Sequence, residues 1–446
     1  MFKKATLVSL ALILVLAIVA GCGNGNNNNA TNNATNGNAG NENATNANSG
    51  GDAGEEKTLK IMQFKVEIAD QLAALARQYE EENPGVKIEI ETVGGGADYG
   101  AALRAKFNSG DKPDIFNNGG FADLDLWLEH LEDLSNEPWV NDLVDAAKPP
   151  MTKDGKLYGQ ALNLEGYGYI YNKDLFEEAG ITELPKTIDE LNAVAQQLQD
   201  AGITPFMNGY GEWWVLGNHF TNIGFAYTDA DKLVEDLNAG STTFKDTESF
   251  QQWMDLVDTT IKYSQQNPIQ TDYNTQVTEF ALGEAAMMQQ GNWTQVQLLE
   301  TNPDLNVGFL PMPINNDADA MDKLPVGVPN NWVVWKESPV KDVAKDFLNW
   351  MVTSDAGKKT IVEEFKFIPA FKSIEADEAI LGQLASDIIT YANAGKTISW
   401  NWFKYPGGEA TSKPMGEMMQ AYIAGEVTRD QLLENFMSKW EEMAAQ

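Results

Sequence analysis

Apolar and polar positions follow two periods along the chain from residue 59. Leu59 to Phe64 is an apolar run of strand length. Ile68, Leu72, Leu75, Ala76 and Tyr79 then recur at spacings of three and four, which predicts a helix with one apolar face. Asn83-Pro84-Gly85 ends it. Val86, Ile88 and Ile90 alternate with Lys87, Glu89 and Glu91, the pattern of a half-buried strand. A second helical pattern runs through Leu103 and Phe107. Gly110-Asp111-Lys112-Pro113 turns the chain, and Asp114-Ile115-Phe116 opens another strand. Strands alternating with helices predict an α/β sheet, largely parallel, with ligands bound beyond the strand ends. Later helices carry start signals. Thr187 with Glu190, and Thr428 with Gln431, are capping-box patterns ahead of apolar periodic runs. Ser338-Pro339 predicts a cap and first turn before Val343, Ala344, Phe347 and Leu348. No short tandem period is present, which argues against a solenoid.

The first 57 residues follow a different logic. Lys3 and Lys4 precede an apolar run from Ala5 to Ala20, short for a membrane span and suited to a secretory signal. It ends in Val19-Ala20-Gly21-Cys22, which resembles a bacterial lipobox with Val19 where Leu is usual. Cleavage before Cys22 would free its thiol for diacylglycerol, and two acyl chains suffice for stable anchoring. Residues 1–21 are thus expected to be a lipoprotein signal peptide. Residues 22–57, rich in Asn and Gly, are expected to form a disordered tether, because they hold too little apolar surface for a core.

Charge narrows the partners. Of 446 residues, 31 are Lys or Arg and 65 are Asp or Glu, for a net charge of -34. Such a chain repels nucleic-acid phosphates and anionic lipid heads, so neither is an expected partner. One Cys excludes an internal disulfide. Two His, His130 and His219, leave little for a zinc site or Cys–His catalysis, and no metal or cofactor is expected. Only Arg77, Arg104 and Arg429 could fork onto an anionic ligand.

Several of the 12 Trp stand in polar or Gly-rich contexts rather than on helical faces. These are Gly211-Glu212-Trp213-Trp214, Gly291-Asn292-Trp293-Thr294 and Ser399-Trp400-Asn401-Trp402. A sugar ring presents an apolar C–H face and a rim of hydroxyls, so flat aromatics beside amides and carboxylates suit it. Trp253, Trp350 and Trp440 lie on helical patterns and are expected in the core. No local pattern singles out a pair of catalytic carboxylates, and no Gly-x-Ser-x-Gly or Walker loop is present. Asp123 and Asp125 are expected on a solvated surface. The stretch from Asn315 to Asp322 is expected to be a solvated loop, since it lacks the Gly and distal Glu of a calcium loop.

Three segments carry a resemblance. They are Ser109-Gly110-Asp111-Lys112-Pro113-Asp114-Ile115-Phe116, the pair Asp154-Gly155-Lys156-Leu157-Tyr158-Gly159 and Tyr169-Ile170-Tyr171-Asn172-Lys173, and Gly283-Glu284-Ala285-Ala286-Met287 leading to Gly291-Asn292-Trp293. In this order the chain resembles the extracellular solute-binding proteins of bacterial ABC sugar importers, family 1, the group that includes maltose-binding protein. The resemblance implies a two-lobed periplasmic-binding-protein-like fold of the α/β class. The ligand would lie in the cleft between lobes joined by crossing segments. It implies lobe one over 58–164 and 307–369, and lobe two over 165–306 and 370–446. It implies no enzyme activity, but a lipid-anchored component that binds neutral oligosaccharides and delivers them to a membrane permease by hinge closure. A peptide or polyamine ligand, or a secreted carbohydrate-active enzyme, is the alternative. The expected place is the outer face of the cytoplasmic membrane in a Gram-positive type of bacterium, as a monomer.

By the same resemblance Glu165 and Trp293 occupy sugar-contacting positions. Trp213 or Trp214, and Trp400 or Trp402, fall near the family's other stacking aromatics. Asn117 and Asn118 follow Pro-Asp-Ile, where the family places contacts, although without maltose-binding protein's Trp and Asp, which disfavours maltose itself. Gln63 and Lys65 follow the first strand. Tyr167 and His219 complete the expected set.

Overall fold

A computed structural model of the protein describes residues 56–445. The expected signal peptide, Cys22 and all but the last residues of the tether lie outside the described residues.

Strands β1 (Lys57–Gln63), β2 (Val86–Thr92) and β3 (Ile115–Asn118) come first, with β1 parallel to both others. The helix Ala69–Glu82 joins β1 to β2 and buries Leu72, Leu75, Ala76 and Tyr79, the stripe its spacing predicts. Strands β4 (Thr152–Lys153) and β5 (Lys156–Leu157) form a short hairpin. Strand β6 (Gln160–Ala161) then completes one side of the first sheet. The chain crosses at once into β7 (Asn163–Asn172), the long strand at the centre of a second sheet. Along β7 the pleat sends Tyr167, Tyr169 and Tyr171 into one core and Ile170 into the other. Strands β8 (Phe206–Met207) and β9 (Met287–Gly291) extend this sheet.

The second crossing departs from expectation. Strand β10 (Val307–Leu310) does not return to the first sheet. It pairs antiparallel with β7, Val307 opposite Asn172 and Leu310 opposite Tyr169, and the Asp387 carboxylate accepts from the Phe309 amide. Strand β11 (Leu324–Gly327) also stays with β7. The return comes at Val328-Pro329-Asn330, and β12 (Asn331–Val334) inserts between β3 and β6. Residues 307–327 therefore belong with the second lobe. Strand β13 (Ile368–Pro369) pairs with Asn163 and Leu164 of β7. The third crossing also falls later than Pro369. Phe371 still bridges to Leu143, and Asp142 accepts from the Lys372 carbonyl-side neighbour Ser373. Strand β14 (Thr397–Ser399) closes the second sheet beside β11. The first sheet runs β2-β1-β3-β12-β6 and the second β14-β11-β7-β9-β8, giving two α/β lobes joined by three crossings that meet along β7.

Both capping boxes form, with Thr187 and Thr428 accepting from the backbone three residues on. Ser338 does not cap its helix. That helix starts at Lys341, and the Ser338 hydroxyl instead donates to buried Asp114, whose other oxygen accepts from Lys60 N. An enclosed carboxylate needs these donors more than an exposed helix end does. Trp253 and Trp440 are fully buried, while Trp350 is half-buried and donates to Glu82. Asp322 is not solvated: it is buried and pairs with Lys396 at 2.6 Å. Among the described residues no helix is long and apolar enough to cross a membrane.

Candidate functional site

The three crossings leave a cleft of about 250 Å³ between the lobes. Lobe one reaches it from the carboxyl ends of its parallel strands, the usual ligand position in such sheets. Phe64, Lys65 and Glu67 follow β1, Gly94 to Gly96 follow β2, and Asn117 lies near the end of β3. Lobe two supplies Trp213, Trp214 and His219 from one segment, Trp293 after β9, and Trp400 and Trp402 after β14.

The aromatic wall is organised around His219. Its ring stacks on Tyr167 with centroids 4.4 Å apart, and lies 5.2 Å from both Trp214 and Trp293 and 5.6 Å from Trp402. Trp400 stacks on Trp402 at 4.6 Å. A π-helical turn, Val215–Phe220, carries His219 inward. Such turns replace regular helix where side-chain aim matters more than backbone stability. Burial pushes the imidazole down to about 3, against the bond from Gln289, so it stands neutral among the rings. Trp214 Nε1 donates to Glu212, whose other oxygen accepts from Tyr273 N, and Trp293 Nε1 donates to Gln290. These bonds fix the faces of both rings. Among the described residues Trp400 Nε1 is buried without a hydrogen-bond partner.

Charge enters from lobe one and the first crossing. Lys65 Nζ lies 2.6 Å from Glu165 and 2.9 Å from Glu67, all three side chains being buried. Burial alone would lower the Lys65 ammonium, but the two carboxylates outweigh it and hold it above its ordinary value. Asn163 also donates to Glu165. The cluster sets two carboxyl groups against one ammonium, and it ties β1 to the first crossing.

Of the residues singled out from sequence, Lys65, Asn117, Glu165, Trp213, Trp214, Trp293, Trp400, Trp402 and His219 line this cleft. Three do not. Gln63 spends its amide on Lys65 N, Lys65 O and Thr92. Asn118 points to the opposite side of β3 from Asn117, as the pleat requires, and bonds Gly120 N and Asp123 O. Tyr167 lies beneath His219, donating to its carbonyl and accepting from Asn222. Asp123 is a further correction. It is not on an open surface but lines the cleft, where it accepts from Gly119 N and burial pushes it up to about 6. Asp125 does lie outside, paired with Lys153. Tyr99, Tyr273 and Glu409 also line the cleft and carry no sequence signal, since distant elements bring them there. Glu212 could have been found, standing beside the Trp pair that it orients.

The arrangement also fits a known set of proteins. The profile of the bacterial extracellular solute-binding protein family matches residues 65–358. The melibiose/raffinose/stachyose-binding protein MelE of Bacillus subtilis is 24% identical over 322 residues, which cover 69% of this chain and 72% of that protein. The multiple sugar-binding protein of Streptococcus mutans is 24% identical over 264 residues, 57% of this chain and 62% of that one. Among solved structures, the raffinose complex of RafE superposes with a TM-score of 0.74 at 20% identity, over 87% of this chain and 99% of that one. A chitin oligosaccharide binding protein gives 0.76 at 23% identity, over 88% and 100%. The matched stretch begins at the cleft lysine, takes in all of lobe two up to its second crossing and ends beyond β12. On that extent the chain belongs to the bacterial extracellular solute-binding protein family.

Proposed function

We propose that the protein is the lipid-anchored substrate-binding component of an ABC importer, and that it holds a neutral oligosaccharide in the cleft between its lobes. The observation that carries the reading is the wall of Trp214, Trp293, Trp400 and Trp402 around a neutral His219, faced by carboxylates and amides. Flat rings stack on sugar C–H faces, and the polar groups opposite bond hydroxyls. The sugar names of the relatives point the same way. Lobe closure would follow from a ligand that touches both walls, because only then does it favour the closed state. Anchoring through Cys22 and delivery to a permease complete the role.

A thermal-shift screen tests this. Raffinose, stachyose, maltotriose and chitin oligosaccharides form one arm; spermidine, short peptides and uronates form the other. At 100 times its dissociation constant a ligand stabilises the folded state by about 2.7 kcal/mol, which is readily seen. A shift with a neutral oligosaccharide supports the reading. A shift confined to spermidine or peptides overturns the sugar assignment. With the ligand so found, Trp293→Ala is expected to weaken binding by about 1–3 kcal/mol in calorimetry, the scale of a lost aromatic anchor. Unchanged affinity would remove Trp293 from the site.

A further inference from the structure

The lobes also meet along a seam at the mouth of the cleft, away from the crossings. A Cβ on Gly119 of lobe one would stand 2.5 Å from the Phe403 ring of lobe two. Lys404 of lobe two lies over the Phe121 ring at 5.7 Å. Asp98 of lobe one pairs with Lys413 of lobe two. Two carboxyl groups face the same space from opposite sides. Asp123 stands in the first turn of the helix Ala122–Trp127 in lobe one, and Glu409 opens the helix Glu409–Ile423 in lobe two.

Among the described residues neither has a cation in salt-bridge contact. The Lys413 ammonium is taken by Asp98, and Lys404 by Asp231. Arg104, on the helix Tyr99–Ser109, faces both acids from beyond Gly100 without closing an ion pair. Tyr99 lies between the walls as a neutral phenol, and Glu417 faces Lys413 from the same helix as Glu409. The seam therefore gathers Asp98, Asp123 and Glu409 around one committed lysine and one arginine that closes no ion pair with Asp123 or Glu409.

We propose that the charge on Asp123 and Glu409 sets the open–closed balance of the cleft, so that closing the lobes takes up protons. Like charges brought from two rigid bodies to one cleft oppose the approach, and a proton on either removes the opposition. The direction of the shifts agrees. Burial, then Asp98 and Asp123, push Glu409 up to about 7 against Arg104 and Lys413, and burial pushes Asp123 up to about 6. Opening takes the opposite lobe away from both groups and returns them towards ordinary carboxylate values. The closed form binds more protons, so it gains on the open form as pH falls from about 8 to about 5 and loses that gain as pH rises. Glu409 is exposed, so water screens much of the effect. A change in the closed-to-open ratio of about tenfold across that range is expected. The inference rests on the proposed function for its purpose, since a ligand hydroxyl or amine between the two acids would act as the proton does.

Spin labels on the two lobes test it without any ligand, so a wrong sugar assignment leaves the result intact. Exposed Glu129 and Glu235 receive labels through Glu129→Cys and Glu235→Cys in a Cys22→Ser background. Distance distributions are taken at pH 5.5 and 8. The short-distance population is expected to grow at pH 5.5. Adding Asp123→Asn with Glu409→Gln should give that larger population at both pH values. Identical distributions at the two pH values, or an undiminished pH response after the double substitution, would overturn the proposal. A melting scan of each variant separates a change in closure from a loss of folding.

Discussion

Replacing Lys65 by methionine is expected to destabilise the protein by about 3–5 kcal/mol, the scale of breaking a buried ion pair from one side. Methionine fills the space of the lysine stem but leaves Glu67 and Glu165 enclosed together with no cation. The deficit should depend on pH with a definite sign. Burial already pushes the Glu165 carboxyl upward, and Lys65 is the main force against it. Without that lysine the folded form binds a proton at Glu165 more readily than the unfolded chain does. The deficit is then largest at pH 8 and shrinks as pH falls through the raised value. Urea midpoints at pH 5 and pH 8 measure this, and Lys65→Met combined with Glu165→Gln should recover much of the loss. Equal deficits at the two pH values would show that lost packing, rather than unpaired charge, is the cause. In the unaltered protein the raised Lys65 value adds stability that is present throughout the neutral range and adds no pH dependence there, because the ammonium stays charged in both folded and unfolded states.

Gly416→Ala is expected to cost about 3 kcal/mol, the upper part of the range for overpacking. The helix Glu409–Ile423 crosses the segment from Trp213 to Phe220 at backbone contact. A Cβ on Gly416 would fall 2.2 Å from the Trp213 carbonyl oxygen, and one on Gly217 would fall 2.0 Å from that of Ser412. Neither neighbour is a side chain that can swing aside, so the helices must part. Trp213, Trp214 and His219 ride on one of these elements and Glu409 and Ser412 on the other. The substitution should therefore shift the near-ultraviolet circular dichroism of the Trp cluster as well as the denaturation midpoint. A lowered midpoint with an unchanged aromatic spectrum would place the strain away from the cleft.

Much of the frame is legible in the sequence where short-range period decides it. The strand–helix alternation up to Asn118 and both capping boxes need only neighbours within a few residues. The crossings do not. Val307 to Leu310 is a fully buried apolar run that would suit either sheet, and only its pairing with a strand more than a hundred residues earlier selects the second. In the cleft, Trp residues beside Gly and polar neighbours separate cleanly from Trp253 and Trp440, which sit at helical spacing in the core. Alternation along β3 could have chosen Asn117 over Asn118 without a structure. Asp123 and Glu409 could not be chosen, because each opens a helix like any surface acid and becomes a cleft group only when the lobes approach.

The order of strands in the first lobe sets when the chain can fold. Strand β12 occupies the place between β3 and β6, yet it is made some 170 residues after β6. Until Asn331–Val334 emerges from the ribosome, the first sheet is split, with one edge of β3 unpaired. The second sheet waits longer, since β14 and the helices that back the Trp wall come last. Neither half can act as a seed that finishes alone and templates the other. Pairing over such separations must overcome loop-closure entropy before contacts compensate, which places folding in the slow, millisecond-to-second regime. A chain that stays incomplete until its final tenth is made remains pliable throughout its synthesis.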